Sequence, residues 1–439
     1  MLEHLLNLAK KRCEQAEVVR VWHKSTPANF EANRLKMLET KESSGIALRI
    51  VKNGRIGLSA TNDPKDVDGL VDRAIELAEF GAKAMFELPG PGKFPTVTVY
   101  DKATEAVTVE QMVQFGQEMI DTLRRANSDL ICEAGVTKSL DEVEILNSNG
   151  CHASYKRSSY SYGVHGTLIR GTDMLFVGDW GASCSPTLDP KPVTKRPVEQ
   201  LELAKETVPA PQGEVPVIFT PHAIAYLLMP LTSAVNGRTV LQGASPLQGK
   251  LGTQLLDPRF SLWDDPTVPL RPDSRNADDE GIPSRKTLLI ERGVPQGFLY
   301  DLQTAGLAGA KTTGSASRGL SSLPTPSTSV LFIEKGDTPY ARMVADIKDG
   351  LIIEQLLGAG QGNVAGGEIG GNVLLGYRIQ NGKITGRVKD TVIAGNVYTS
   401  LGSGKLIALS DTQEWVSGSL LTPAIACMGI SVSTKKTGE

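Results

Sequence analysis

Several ingredients of common enzyme and binding classes are scarce in this chain. Of 439 residues only five are cysteine and five histidine, and aromatic residues make up 5%. The cysteines, Cys13, Cys132, Cys151, Cys184 and Cys427, are odd in number and widely spaced, with no C-x-x-C pair. That argues against a disulfide framework and against a local structural zinc site. Neither charge dominates: 46 Lys and Arg stand against 49 Asp and Glu, a formal net charge of -3. No global positive field draws the protein to a phosphate backbone, so nucleic acid is not expected as a partner. The one short basic run, Ser433-Thr434-Lys435-Lys436, reads as a solvated end. Long apolar runs are missing too. The longest, around Ala223 to Leu231, holds a proline and is far shorter than the roughly 20 residues that span a bilayer, so no membrane segment is expected. The opening Leu2-Glu3-His4-Leu5-Leu6 carries an acid and lacks a basic region and a small-residue cleavage site, which leads us to expect a cytoplasmic protein.

Motifs for chemistry are equally sparse. None of His4, His23, His152, His165 and His222 is followed by Glu or has a second His three to five residues away. A zincin-like pair on one helical face is therefore not built locally, and the remaining metal alternative is a site assembled from the distant His152, His165 and His222. No serine sits in a G-x-S-x-G elbow, and no Gly-Lys pair is followed by Ser or Thr as a P-loop requires. Gly360-Gln361-Gly362-Asn363-Val364-Ala365 satisfies G-x-G-x-x-A, but Gly366-Gly367-Glu368-Ile369-Gly370-Gly371 follows, which cannot start a pyrophosphate-binding helix. Cys151 and His152 are neighbours on a predicted strand and point to opposite faces, so they cannot form a thiolate pair with each other. No cofactor and no catalytic residue is expected from these patterns.

What is present is a mixture of helical and alternating segments. Leu2, Leu5, Leu6 and Ala9 recur at helical spacing, and Val18 to Trp22 reads as a strand. Asn53-Gly54 supplies the two positive-φ residues of a type I′ hairpin, and a helix with Leu70, Val71, Ala74 and Leu77-Ala78 on its apolar face follows. A second amphipathic helix starts at Thr108, which has capping-box spacing with Gln111. Glu142 to Leu146 and Cys151 to Tyr155 flank the turn Asn149-Gly150, and Val198 to Glu206 reads as a helix before the connector Pro209-Ala210-Pro211-Gln212-Gly213. Beyond it, Pro221 to Val235 reads as a helix closed by Asn236-Gly237, and residues 312–329 form a Ser, Thr, Gly and Pro-rich loop. Short strands follow, with a hairpin at Asn381-Gly382. The expected fold is α+β, with an N-terminal α/β domain (1–208) of meander hairpins and two amphipathic helices and a β-rich C-terminal domain (209–439).

Three stretches in the second half resemble one family when taken together. They are Gly252-Thr253-Gln254-Leu255-Leu256-Asp257-Pro258-Arg259 with Asp279-Glu280-Gly281-Ile282-Pro283; Gly293 to Gly309 around Phe298-Leu299-Tyr300-Asp301; and Gly376 to Lys383 leading to Val392-Ile393-Ala394-Gly395-Asn396. In this order they are similar to the C-terminal domain of the TldD/PmbA family, also known as modulators of DNA gyrase. Two details depart from that pattern: Ser replaces an expected Asn within Gly314-Ser315-Ala316-Ser317-Arg318, and Gly366-Gly367-Glu368-Ile369 lacks an expected Phe-Ser.

The resemblance implies a peptidase complex in which a TldD-type subunit carries H-E-x-x-x-H on a helix and a TldE-type partner does not. Laid on this chain after Val215 to Phe219, that motif puts Pro221 at the first ligand, His222 at the general base and Tyr226 at the second ligand. No ligand pair survives there, so the resemblance implies a non-catalytic TldE/PmbA-like subunit. Its expected partners are an H-E-x-x-x-H relative in a heterodimer, or a second copy in a homodimer, with unfolded peptide as substrate; Pro221, His222 and Tyr226 would line a groove. The alternatives are a regulatory gyrase-modulating protein and a metal-independent hydrolase using a thiol such as Cys151.

Overall fold

The computed structural model describes residues 1–63 and 65–434, so the lysines of the basic tail lie outside the described residues. The chain opens with helix α1 (Leu2–Lys10), whose Leu2, Leu5, Leu6 and Ala9 are buried. Strands β1 (Gln15–Glu31), β2 (Arg34–Leu38), β3 (Lys41–Lys52) and β4 (Arg55–Thr61) follow, then α2 (Val67–Ala78), α3 (Lys102–Ala106) and α4 (Val109–Ala126). Strands β5 (Ile131–Asn147), β6 (His152–Arg170) and β7 (Asp173–Ser183) complete an antiparallel sheet of order β4-β3-β1-β5-β6-β7, with β2 beside the far end of β1.

Local chemistry explains its corners. Asn53 and Gly54 sit at φ 52° and 69°, the left-handed pair a type I′ turn needs. The Thr108 hydroxyl accepts from Gln111 N and the Gln111 side chain accepts from Thr108 N, the reciprocal cap expected from their spacing. Leu77 departs from expectation: it is half exposed, and Leu70, Val71, Ala74 and Ala78 form the buried face without it. The central strands of 17, 17 and 19 residues are far longer than the short apolar runs implied. Polar residues such as Lys24 and Ser25 continue the ladder because a strand on each side fixes them. On β1, Ala16 and Val18 pack with α1 and α2, while Ala28 and Phe30 pack with α4, so one sheet face carries both helix layers.

Helix α5 (Lys191–Leu203) links this sheet to the C-terminal half. It starts earlier than the sequence suggests, because Pro192 fits a first turn and Pro197 is tolerated inside, where the pattern of prolines disguises the helix. In the C-terminal sheet Val217–Phe219 is an interior strand, parallel to Asp349–Leu357 on one side and antiparallel to Ile425–Cys427 on the other. Alternation gives it two buried faces. Val217, Phe219, Leu351 and Ile353 share a core with Leu227 and Leu231 of α6 (Ile224–Ala234), whereas Ile218, Ile352, Tyr377 and Ala426 share a core with Phe115 of α4 and Leu201 of α5. Apolar packing therefore runs without a break between the two halves.

Other details differ from the sequence reading. Asn236 does not close α6; its side chain accepts from Arg238 N and caps the next helix, α7 (Gly237–Leu241). Gly237 is required for closeness, since a Cβ there would lie 2.2 Å from Tyr300 Cδ1. Within residues 312–329, Ala316–Ser317 pairs with Thr325–Pro326, so the loop is a small hairpin. As the sequence reading expects, the glycines after Gly360 start no helix; they lead into strand Glu368–Gln380. Asn381 and Gly382 form the expected hairpin at φ 49° and 75°.

Candidate functional site

The position of interest lies where strand Val217–Phe219 runs into α6. Pro221 opens one turn of 3-10 helix, Pro221–Ala223, and α6 continues it. Pro221 is buried and has no side-chain donor atom. The His222 ring is 8% exposed, and its Nε2 lies 2.8 Å from Asp179 Oδ1 on β7. Its Nδ1 is buried with no hydrogen-bond partner among the described residues. The Tyr226 hydroxyl donates to Leu356 O and accepts from Leu356 N, both at 3.1 Å. This occurs where the pairing of Asp349–Leu357 with Glu368–Gln380 slips register, leaving backbone groups that the phenol satisfies.

The three positions thus supply one imidazole held by a carboxylate, one phenol tied to backbone and one proline. A catalytic zinc needs three protein ligands with an open position beside them. Among the described residues no group of three or more His, Cys, Asp or Glu converges as such a set, so the residues here do not fit a catalytic metal.

Around His222 the structure gathers aromatic rings. Trp180 meets His222 edge-on at 5.7 Å and stacks on His165 at 5.8 Å. Burial pushes His165 below the ordinary imidazole range, with Glu133 and Asp179 opposing, which favours the neutral ring. Trp180 donates from Nε1 to Ser417 Oγ at 2.5 Å and so ties β7 to the C-terminal half. Beside these rings a groove of about 600 Å³ runs along the N-terminal sheet past Tyr162, His165 and Trp180. Of the three scattered histidines, His165 and His222 flank one tryptophan. His152 lies elsewhere, exposed, with Nε2 3.3 Å from Glu144 Oε1.

The thiols are poorly suited to attack. Burial pushes Cys151 up to about 11, with Glu17 and Asp278 adding to the effect, and its Sγ lies 3.5 Å from Gly281 O. Burial likewise raises Cys132 and Cys184 to about 11 and Cys427 to about 12. A thiolate nucleophile needs the opposite environment.

A second buried polar cluster joins the halves instead of forming a site. Arg49 on β3 reaches Glu17 on β1 at 3.0 Å and Glu280 of the C-terminal half at 2.6 Å, while Arg318 reaches Glu17 at 2.7 Å. None of the four side chains is more than 4% exposed. Burial drives Glu280 up to about 7 against the pull of Arg49. Glu17 ends below the carboxylate range: burial is the largest influence on it, but Arg318 and Arg49 together outweigh that influence.

Sequence reasoning missed Asp179, Trp180 and the inter-half ion pairs. Their partners lie on other elements, and no local spacing advertises such pairs.

Comparison with known proteins bears out the resemblance read from the sequence. A family model described as the PmbA/TldA metallopeptidase C-terminal domain matches residues 212–434, and one described as PmbA/TldA metallopeptidase domain 1 matches residues 16–78. The chain is 25% identical over 437 residues to an uncharacterized protein of Methanocaldococcus jannaschii, covering 98% of this chain and 99% of that one. It is 30% identical over 204 residues to a metalloprotease TldD homolog of Haemophilus influenzae, covering 46% of this chain and 42% of that one. Among solved structures it is similar to TldE from Thermococcus kodakarensis, with a TM-score of 0.90 and 25% identity over 98% of this chain and 99% of that one. A proposed modulator of DNA gyrase from Thermotoga maritima, 20% identical, shares the fold with a TM-score of 0.89 over 98% of this chain and 99% of that one.

Proposed function

This chain belongs to the PmbA/TldD metallopeptidase family, and we propose that within it the chain is a non-catalytic, TldE-like subunit. One observation carries this reading. Where the family's motif would fall, Pro221 offers no ligand, His222 is engaged by Asp179 and Tyr226 is engaged by the Leu356 backbone. Catalysis would then reside in an H-E-x-x-x-H relative, and this chain would complete a chamber for unfolded peptides in the cytoplasm. The groove beside Trp180 offers one wall for an extended chain.

The test is to purify the chain alone and with such a relative. Alone, it should hold less than stoichiometric metal and cleave no unfolded peptide; together, the pair should form a stable complex that does. One tightly bound zinc per chain with peptidase activity in the isolated protein overturns the proposal.

A further inference from the structure

At the seam between α5 and the C-terminal sheet, with Pro221 at its edge, lies a hollow of about 260 Å³. Its floor is set by strand alternation: Ile352 and Glu354 project from the same face of Asp349–Leu357, and Tyr377 on the next strand stands opposite Ile352. Tyr377 is 1% exposed, and its hydroxyl has no hydrogen-bond partner among the described residues. Buried hydroxyls are almost always paired, so an unpaired one lining a hollow marks the place of a missing polar group. Burial, with Glu354 adding, raises the phenol of Tyr377 above its ordinary range, as it does for Tyr340 on the wall, so both rings remain neutral.

Electrostatics selects the sign of that group. The lining carries three carboxylates, Glu199, Glu354 and Glu414, against the single guanidinium of Arg196. Arg196 has little to offer an anion. Its Nη2 donates to Glu354 Oε2 at 2.7 Å and to Thr220 Oγ1 at 3.0 Å, and its Nη1 lies 3.5 Å from Glu414 Oε2. Glu414, more than half exposed at the rim, draws a cation towards the hollow, while Glu199 is paired with Lys195 at 3.8 Å and Glu354 is deep, at 11% exposure.

We propose that this hollow is a binding site for a primary alkylammonium group, with the ammonium against the Tyr377 hydroxyl and Glu354 and its carbon stem along Ile352 and Ile384. A lysine side chain and a free alkyl amine share this chemistry. The site does not depend on the subunit role proposed above.

Calorimetric titration of the full chain with n-pentylamine, against n-pentanol of the same shape, tests the idea. The amine should bind at least about tenfold more tightly than the alcohol, and Tyr377→Phe, which keeps the ring, should weaken it by about tenfold at an unchanged melting temperature. Glu414→Gln at the rim should weaken it about threefold, an effect that fades with added salt. Equal binding of amine and alcohol, or wild-type amine affinity in Tyr377→Phe, overturns the proposal. Two further probes assign the source: acetyl-Gly-Lys-Gly-amide competing with pentylamine identifies a lysine side chain, and failure of that peptide while 1,5-diaminopentane competes identifies a free amine.

Discussion

The two large sheets are assembled by opposite routes. In the N-terminal sheet β3 with β4, β5 with β6, and β6 with β7 are hairpins of chain neighbours, and only β1 with β5 bridges a long insertion. In the C-terminal sheet the interior three-residue strand Val217–Phe219 is flanked by Asp349–Leu357 and Ile425–Cys427, so it has no partner until most of the remaining chain is in place. Loop closure must be met there before contacts compensate for it, whereas the hairpins close short loops. The difference suggests a locally built half and a half that holds together only as a whole.

Removing the charge that ties the halves should have the largest effect. Arg49→Ala leaves Glu17 and Glu280 buried with one counter-ion fewer and should cost about 3–5 kcal/mol in urea unfolding. If the halves are unequal, the loss should also split one unfolding transition into two, and a single transition with unchanged slope would break the comparison. Phe219→Ala, fully buried at the C-terminal end of the late-paired strand, should cost about 3–4 kcal/mol. Hydrogen exchange should then quicken across Asp349–Leu357 and Ile425–Cys427 while β3 and β4 keep their protection.

Asp264, 1% exposed, sharpens the comparison through pH. Burial raises its carboxyl to about 7 from an ordinary value of 3.8. The folded state therefore favours the neutral acid, and the stability that follows is present below pH 4 and lost as pH rises to 7. Asp264→Asn should not lose it. The variant should gain on wild type by at most about 1.4 kcal/mol per pH unit across that window and stay level above it, as followed by melting temperature. A constant difference from pH 4 to 7 would show that the carboxyl is ionised throughout. The smallest effect belongs to the local half: Thr108→Ala removes one side of the capping box and should cost about 1 kcal/mol, with faster exchange confined to the first turn of α4.

The same contrast explains what the sequence made legible. Features written in adjacent residues were readable: the Asn53-Gly54 and Asn381-Gly382 turns, the Thr108–Gln111 cap and the face of α1 all appear where spacing puts them. Features made by distant partners were not. Lys24 and Ser25 lie past the apolar run Val18 to Trp22 yet stay in the strand because strands on both sides hold them, and Asn236 reads as a stop signal although it starts a helix. At the candidate site the shortage of imidazoles could be counted, yet the groups that occupy its place could not be named. Asp179 faces His222 from another sheet, and Tyr226 finds its backbone partner on a strand that begins at Asp349.

That phenol also acts as a ratchet. Replacing Tyr226 by His to rebuild a ligand would strip Leu356 of the group that satisfies both its N–H and its C=O. Replacing His222 by Glu would set a second carboxylate against Asp179, and a His at 221 would forgo the ring that presets the first turn. Each substitution alone removes an existing interaction before it adds a ligand, so offering a metal-binding pair at these positions would take several changes made together.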